Sequence, residues 1–241
     1  MPGALAGQVA IVTGAGRGIG RAVALALAAE GAAVALAART RQQLAEVAAA
    51  IHEGGTGRAL AVPTDVTQDS AVEALVEQVV GEWGRLDLLV TAAGVASFGP
   101  VAGAKPTDWD AMLAVNLRAV MVCCRAALGP MLRQRRGTIV TVASVAATRP
   151  IPGCAAYAAT KAGVVAWSRV LAEEVRRDGV RVGVVAPGAV DTPLWDQVPG
   201  APPRDRMLRP EDVARLVVAM AALPPHATLE EVTLLPAGGL L

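Results

Sequence analysis

Short runs of consecutive apolar residues recur along this chain, separated by longer stretches whose apolar positions fall three and four residues apart. The runs Val9–Val12, Ala33–Ala37, Ala59–Val62, Leu86–Val90, Thr138–Val142, Val180–Val185 and Glu231–Leu235 predict strands. The spacing between them predicts helices near 18–30, 41–53, 69–83, 107–133, 155–178 and 210–223. Strands that are apolar on both faces belong in a parallel sheet covered by helices on each side. The alternation predicts an α/β fold, a Rossmann-like doubly wound sheet in a three-layer α/β/α sandwich. No low-complexity linker, charge run or internal repeat divides the chain, so one domain over residues 1–241 is expected. The pattern breaks once, from Ala186 to Arg209, where Pro187, Pro193, Pro199, Pro202 and Pro203 forbid a continuous helix or a central strand. A long irregular stretch inside a compact domain reads either as a substrate lid, here near 189–209, or as a surface loop.

Composition narrows the classes. An apolar content of 54% with a formal net charge of +1 excludes general disorder and gives no electrostatic footprint for nucleic acid. The three cysteines, Cys123, Cys124 and Cys154, have no CxxC spacing, so neither a disulfide framework nor a metal site is expected. The first Arg is Arg17, without the basic start of a secretory leader. The apolar stretch Ala22–Ala38 is interrupted by Glu30-Gly31. No membrane partner and a cytoplasmic location are therefore expected. The chain has one Tyr, one Phe, one Asn and two Lys against 20 Arg, so each rare residue is worth locating.

The first strand leads into Thr13-Gly14-Ala15-Gly16-Arg17-Gly18-Ile19-Gly20, and a helix follows. Strand, glycine turn and helix N-terminus together make an anion site, because glycines allow close backbone approach and free N–H groups face the ligand. A plain tight turn would use glycines too, but this position after the first strand is the one that binds dinucleotides. At the end of the second strand stands Arg39, where a site selective for NAD(H) would place a carboxylate. Arg39 and Arg17 offer guanidinium groups to a 2′-phosphate, which favours NADP(H) and leaves NAD(H) possible. Asp65 and Val66 follow the third strand and are placed to meet an adenine, or Asp65 caps the next helix. Ala92, Ala93 and Gly94 close the fourth strand with small side chains against which a flat cofactor can lie.

The segment Tyr157-Ala158-Ala159-Thr160-Lys161 carries the chemistry. Positions i and i+4 share a helix face, so phenol and ammonium project into one space. A nearby ammonium is expected to lower the tyrosine pKa, making a proton donor and acceptor for carbonyl and alcohol interconversion. Ser144 ends the fifth strand, where α/β sheets bind ligands. It is placed to hydrogen-bond a substrate oxygen, or else serves as a turn residue. Asn116, inside a helical pattern, is a poor choice for a helix interior and is expected to mark a kink holding an ordered water.

These residues, in this order, resemble the short-chain dehydrogenase/reductase family. The turn Thr13–Gly20, Asn116, Ser144, Tyr157 with Lys161, and Pro187-Gly188 with Thr192 all carry the likeness. The resemblance implies a seven-stranded sheet, a nicotinamide cofactor and an Asn-Ser-Tyr-Lys tetrad. It makes Tyr157 the general acid/base, Ser144 the group orienting the substrate oxygen, Lys161 the ribose ligand, and Asn116 the anchor of a relay water. Pro187, Gly188, Val190 and Thr192 would cover the nicotinamide. It further implies a homo-oligomer, a tetramer or a dimer, through the helices near 107–133 and 155–178. Two departures are visible. Thr91-Ala92-Ala93-Gly94 stands where the family has Asn-Asn-Ala-Gly, and Pro236-Ala237-Gly238-Gly239 lacks the Asp-Gly-Gly of many fatty-acid-type reductases.

Pocket walls are expected from Val95–Phe98, Val145–Cys154 and Leu194–Val198, with Val145, Ala146 and Trp195 beside Ser144 and Tyr157. Apolar walls suit a small to medium hydrophobic ketone, alcohol or acyl thioester. Within that range lies a 3-oxoacyl-[acyl-carrier-protein] reductase. A non-catalytic NADP(H)-binding sensor is the rival from another class, and binding alone has no use for the tetrad.

Overall fold

The computed structural model describes residues 3–55, 57–196, 198 and 201–240. Seven strands, β1 (Val9–Thr13), β2 (Ala33–Ala38), β3 (Arg58–Pro63), β4 (Leu88–Thr91), β5 (Gly137–Val142), β6 (Val180–Pro187) and β7 (Glu231–Leu234), form one sheet. Every pairing is parallel, and the order is β3-β2-β1-β4-β5-β6-β7. The reversal of order between β1 and β4 is the switch point at which doubly wound sheets open a crevice.

Among the described residues, six α-helices cover the two faces. Helices α1 (Gly18–Ala29), α2 (Arg41–Glu53) and α7 (Pro210–Ala222) pack over Ala10, Val12, Val34 and Leu36. On the opposite face, α3 (Asp69–Trp83), α5 (Ala119–Gln134) and α6 (Ala155–Val175) pack over Val9, Ile11, Leu89 and Ile139. All residues of β1, β4 and β5 are buried, which is why these strands read as unbroken apolar runs.

The expected helix over 107–133 is corrected to three pieces. Helix α4 (Pro106–Met112) passes into a π-helical segment, Leu113–Arg118, and then into α5. The wider turn carries Asn116 into the interior, where it is fully buried. The helix expected to reach 178 ends instead at Val175, followed by one 3₁₀ turn, Arg176–Asp178. Gly179 at φ +77 stops it, and a Cβ there would lie 2.2 Å from the Arg135 carbonyl oxygen.

The fourth strand begins at Leu88 rather than Leu86; Leu86 is held by Gln134 from outside the sheet, and Asp87 ties the strand's entry to β1 through Val9. Gln134 Oε1 accepts from the Leu86 N–H (3.0 Å), and the Asp87 carboxylate accepts from the Val9 N–H (3.0 Å) and from Arg85.

The continuous helix Pro106–Gln134 is long and apolar enough to cross a bilayer by length and composition. The expectation that no stretch of the chain is long and apolar enough to span a membrane is corrected by this helix. In the fold that helix carries Met112, Val120, Cys124, Ala127 and Met131 into the core.

The proline-rich segment after β6 is closed at its base. Val190 and Leu208 pair, with the Asp191 N–H donating to the Leu208 carbonyl (2.8 Å) and the Leu208 N–H to the Ala189 carbonyl (2.9 Å). Arg204 clips the interior by donating to Asp191 Oδ1 (2.7 Å), the Thr192 carbonyl (2.7 Å) and Asp196 Oδ1 (2.8 Å). Gln197, Pro199 and Gly200 of the expected lid lie outside the described residues.

Candidate active site

The C-terminal ends of β1 to β6 open onto one cleft of about 540 Å³. Gly14 and the segment 16–20 line one end of it. Gly14 sits at φ +69, and a Cβ there would stand 2.8 Å from the Ala92 carbonyl oxygen, so only glycine permits this crossing of β1 past β4. Helix α1 then starts from extended Arg17 with no side-chain cap and no acidic residue in its first turn. Its first N–H groups are left for an anion in the cleft.

Thr13 is a correction to the expected cofactor contacts. It is buried and does not line the cleft, because its hydroxyl accepts from the Ala92 and Ala93 N–H groups (3.2 and 3.3 Å). That contact fixes the path of Ala92, Ala93 and Gly94 without the family's two asparagines.

Arg17 and Arg39 both line the cleft with exposed side chains. Asp65 and Val66 line it as well. Asp65 does not cap α3; its Oδ1 accepts from Thr67 N–H (3.0 Å) and Oγ1 (2.8 Å). These bonds first, and the Arg39 guanidinium after them, hold its carboxyl below the usual value. Sequence reasoning missed Gln43, which also lines the cleft. A Cβ on Gly16 would lie 2.8 Å from its Oε1. The signal available was its place in the first turn of α2, which follows the Arg39 strand end directly.

At the other end, Ser144, Tyr157 and Lys161 meet on the same cleft with Pro187, Gly188, Val190 and Thr192. Of the two roles considered for Ser144, the turn is the one seen here. Its Oγ accepts from the Ala146 N–H (3.1 Å), opening the 3₁₀ turn Val145–Ala147, and it lines the cleft together with Tyr157. Lys161, only 5% exposed, donates from Nζ to the Val142 carbonyl (2.9 Å) and lies 5.7 Å from the Tyr157 ring centre. Burial pulls its pKa down to about 8.

The expected lowering of the tyrosine pKa is not found. Desolvation pushes Tyr157 up to about 12, against which the Ser144 hydrogen bond works. The ammonium is turned to the Val142 carbonyl, and the phenol stays neutral in this environment.

Asn116 is not on the cleft surface. Its Oδ1 accepts from the Val95 N–H (2.9 Å), and its Nδ2 donates to the Val95 carbonyl (2.8 Å) and to Thr160 Oγ1 (3.3 Å). Thr160 Oγ1 donates in turn to the Tyr157 carbonyl (2.7 Å). The amide therefore ties the π segment, the loop after β4 and the Tyr–Lys turn of α6 into one unit. A Cβ on Gly94 would fall 3.5 Å from Asn116 Oδ1 and 4.0 Å from Lys161 Nζ, which shows how closely the three converge.

The mouth is aromatic. Phe98 stands edge-on to Tyr157 at 5.7 Å between ring centres and stacks on Trp195 at 5.6 Å. The Trp195 indole N–H donates to the Val190 carbonyl (3.0 Å), fixing the ring. Of the expected walls, Val95, Val145, Ala146, Ile151, Cys154 and Leu194 line the cleft, while Ala96, Ser97, Asp196 and, between Ser144 and Tyr157, residues 147–150, 152 and 153 do not. Pro202 and Leu240 line it without having been expected.

Comparison with known proteins bears on the family and the fold. A family model described as short chain dehydrogenase matches residues 8–201. A protein named 3-oxoacyl-[acyl-carrier-protein] reductase, from Synechocystis sp., is 35% identical over 99% of this chain and 98% of its own length. The crystal structure of a metagenomic short-chain oxidoreductase in complex with NADP superposes with a TM-score of 0.85 at 37% identity, covering 97% and 99% of the two chains. An alcohol dehydrogenase from the archaeon Thermococcus sibiricus, complexed with 5-hydroxy-NADP, superposes at 0.89 with 32% identity, covering 95% and 97%.

Proposed function

The chain belongs to the short-chain dehydrogenase/reductase family, and from that premise we propose that it is an NADP(H)-dependent oxidoreductase interconverting a carbonyl and an alcohol. The observation that carries this reading is the convergence of Ser144, Tyr157 and Lys161 on the cleft that also holds the glycine turn, Arg17 and Arg39. The residues fit the cofactor. Gly14–Gly20 and the bare start of α1 suit a pyrophosphate, the two arginines a 2′-phosphate, and Asp65 with Val66 the adenine end. Lys161 suits the nicotinamide ribose, with Ala92–Gly94, Pro187, Gly188, Val190 and Thr192 around the nicotinamide. When bound, the nicotinamide supplies or accepts the hydride.

The protein's own part is the proton. Tyr157, neutral at physiological pH, donates from its phenol oxygen to the substrate oxygen, while the Ser144 hydroxyl holds that oxygen in place. The resting protonation state therefore suits carbonyl reduction. Lys161 offsets the negative charge left on the phenolate once the proton has gone.

The apolar walls support a small to medium hydrophobic ketone, alcohol or acyl thioester. The name of the Synechocystis relative supports the narrower reading of a 3-oxoacyl-[acyl-carrier-protein] reductase. Assembly as a tetramer or dimer goes with the family reading. The test is NADPH consumption by the purified protein with acetoacetyl thioesters, diketones, aldehydes and sugar ketones. Turnover of at least one apolar ketone or thioester is expected, and no consumption with any of them would refute the reading.

A further inference from the structure

A second cavity, of about 320 Å³, lies beside the substrate end of the cleft. It is bounded by the start of α6 (Ala155, Ala156), the loop after β4 (Pro100, Val101, Ala104) and α4 (Trp109, Met112), with Ser97, Lys105 and Asp108 as its polar groups. Among the described residues, Phe98 alone lines both spaces. On either side of that ring the chain alternates. Ile151, Cys154 and Tyr157 face the cleft, whereas Gly153, Ala155 and Ala156 face the second cavity. The two loops that carry the partition are tied by the Gly99 N–H donating to the Gly153 carbonyl (2.9 Å). The ring itself is held between the edge of Tyr157 and the face of Trp195.

Resting on the carbonyl-reductase reading above, we propose that Phe98 is a specificity-determining residue that sets the length of substrate the cleft accepts. The ring stands next to the acid/base tyrosine, so a substrate whose carbonyl reaches Tyr157 directs one substituent at Phe98. With the ring in place that substituent stops there, and the site takes compact carbonyl compounds. With the ring removed, the cleft and the second cavity become one space, and an unbranched alkyl chain runs on between Trp109, Met112 and Val101. Ser97 Oγ donates to Asp108 Oδ2 (3.1 Å), so the polar side of that cavity is partly satisfied internally and the apolar side is what a chain would meet. Each methylene seated against such a wall improves kcat/KM by about fourfold.

The test is a homologous series of 2-alkanones with NADPH, measured for wild type, Phe98→Ala, Phe98→Leu and Phe98→Ala combined with Ala104→Leu. Wild-type kcat/KM is expected to fall beyond the short ketones. Phe98→Ala should move the optimum several carbons longer, with roughly fiftyfold gained for three further methylenes. Phe98→Leu, which keeps an apolar side chain against Trp195, should move it less, and it carries the test if the alanine variant does not fold. Ala104→Leu adds bulk to the lining of the second cavity and should take the gain back. A chain-length profile that Phe98→Ala merely scales down, or a gain that Ala104→Leu leaves intact, overturns the proposal. If wild type turns over no ketone, the carbonyl-reductase reading fails separately. Dissociation constants for the same series on NADPH-loaded protein then decide the partition, and a length ranking indifferent to Phe98 refutes it.

Discussion

At the scale of single residues, the site is governed by what burial does to two ionisable groups. Lys161 has its pKa drawn down to about 8 from 10.5 by desolvation alone. Between those values the unfolded chain holds a proton that the folded chain has lost, so stability from this site rises with pH across that window. At neutral pH the buried ammonium is a burden of up to about 3 kcal/mol. Lys161→Met should therefore melt higher than wild type at neutral pH while losing activity, and its advantage should shrink as the pH is raised toward 10. A melting difference that stays constant with pH would contradict this origin. Arg39 carries a different expectation. Each charge-assisted hydrogen bond to a phosphate is worth about 1.5–3 kcal/mol. Arg39→Asp should raise KM for NADPH on the order of tenfold to a hundredfold and leave that for NADH nearly unchanged. An equal rise for both cofactors would remove Arg39 from 2′-phosphate recognition.

At the scale of elements, the segment after β6 shows what a proline-rich stretch becomes when its ends are paired. The Val190–Leu208 pairing closes it, and Arg204 gathers Asp191, Thr192 and Asp196. These ion pairs are solvent-facing, so the clip adds little to global stability and acts locally on the segment. Arg204→Gln should raise the substrate KM by roughly fivefold, change kcat less, and speed proteolysis by subtilisin within 191–207. Unchanged KM and cleavage would make the clip incidental.

The central strands were legible because burial on both faces writes continuous apolar runs in β1, β4 and β5, and the 3.6-residue period writes most helices. The glycine turn and the Tyr157–Lys161 spacing were legible because local backbone geometry alone dictates them. What was not legible depended on partners far away in the chain. The π segment at Leu113–Arg118 keeps its apolar pattern, so periodicity sees one helix. The Val142 carbonyl that takes the Lys161 ammonium, and the burial that pushes the Tyr157 pKa up, become visible only when β5 and α6 are packed. Thr13 looked like a cofactor contact by its place in the glycine turn, yet its hydroxyl answers to the N–H groups of Ala92 and Ala93.

At the scale of the whole molecule, one parallel sheet places its strand ends so that a nucleotide-shaped half and an aromatic-mouthed half share a cleft. The helices expected to carry the assembly leave large apolar side chains exposed, Leu113 and Leu132 along the 106–134 helix and Val170 on α6. Sedimentation at micromolar concentration should report a tetramer or a dimer, and a monomer would contradict that reading. The central claim is that the cleft performs proton and hydride chemistry rather than cofactor binding alone, and Tyr157→Phe tests it most directly because only the phenolic oxygen is lost. With a ketone that the wild type turns over, the variant should keep its dissociation constant for NADPH within about twofold and lose at least about a hundredfold in kcat. Undiminished turnover by Tyr157→Phe with that ketone would contradict the account.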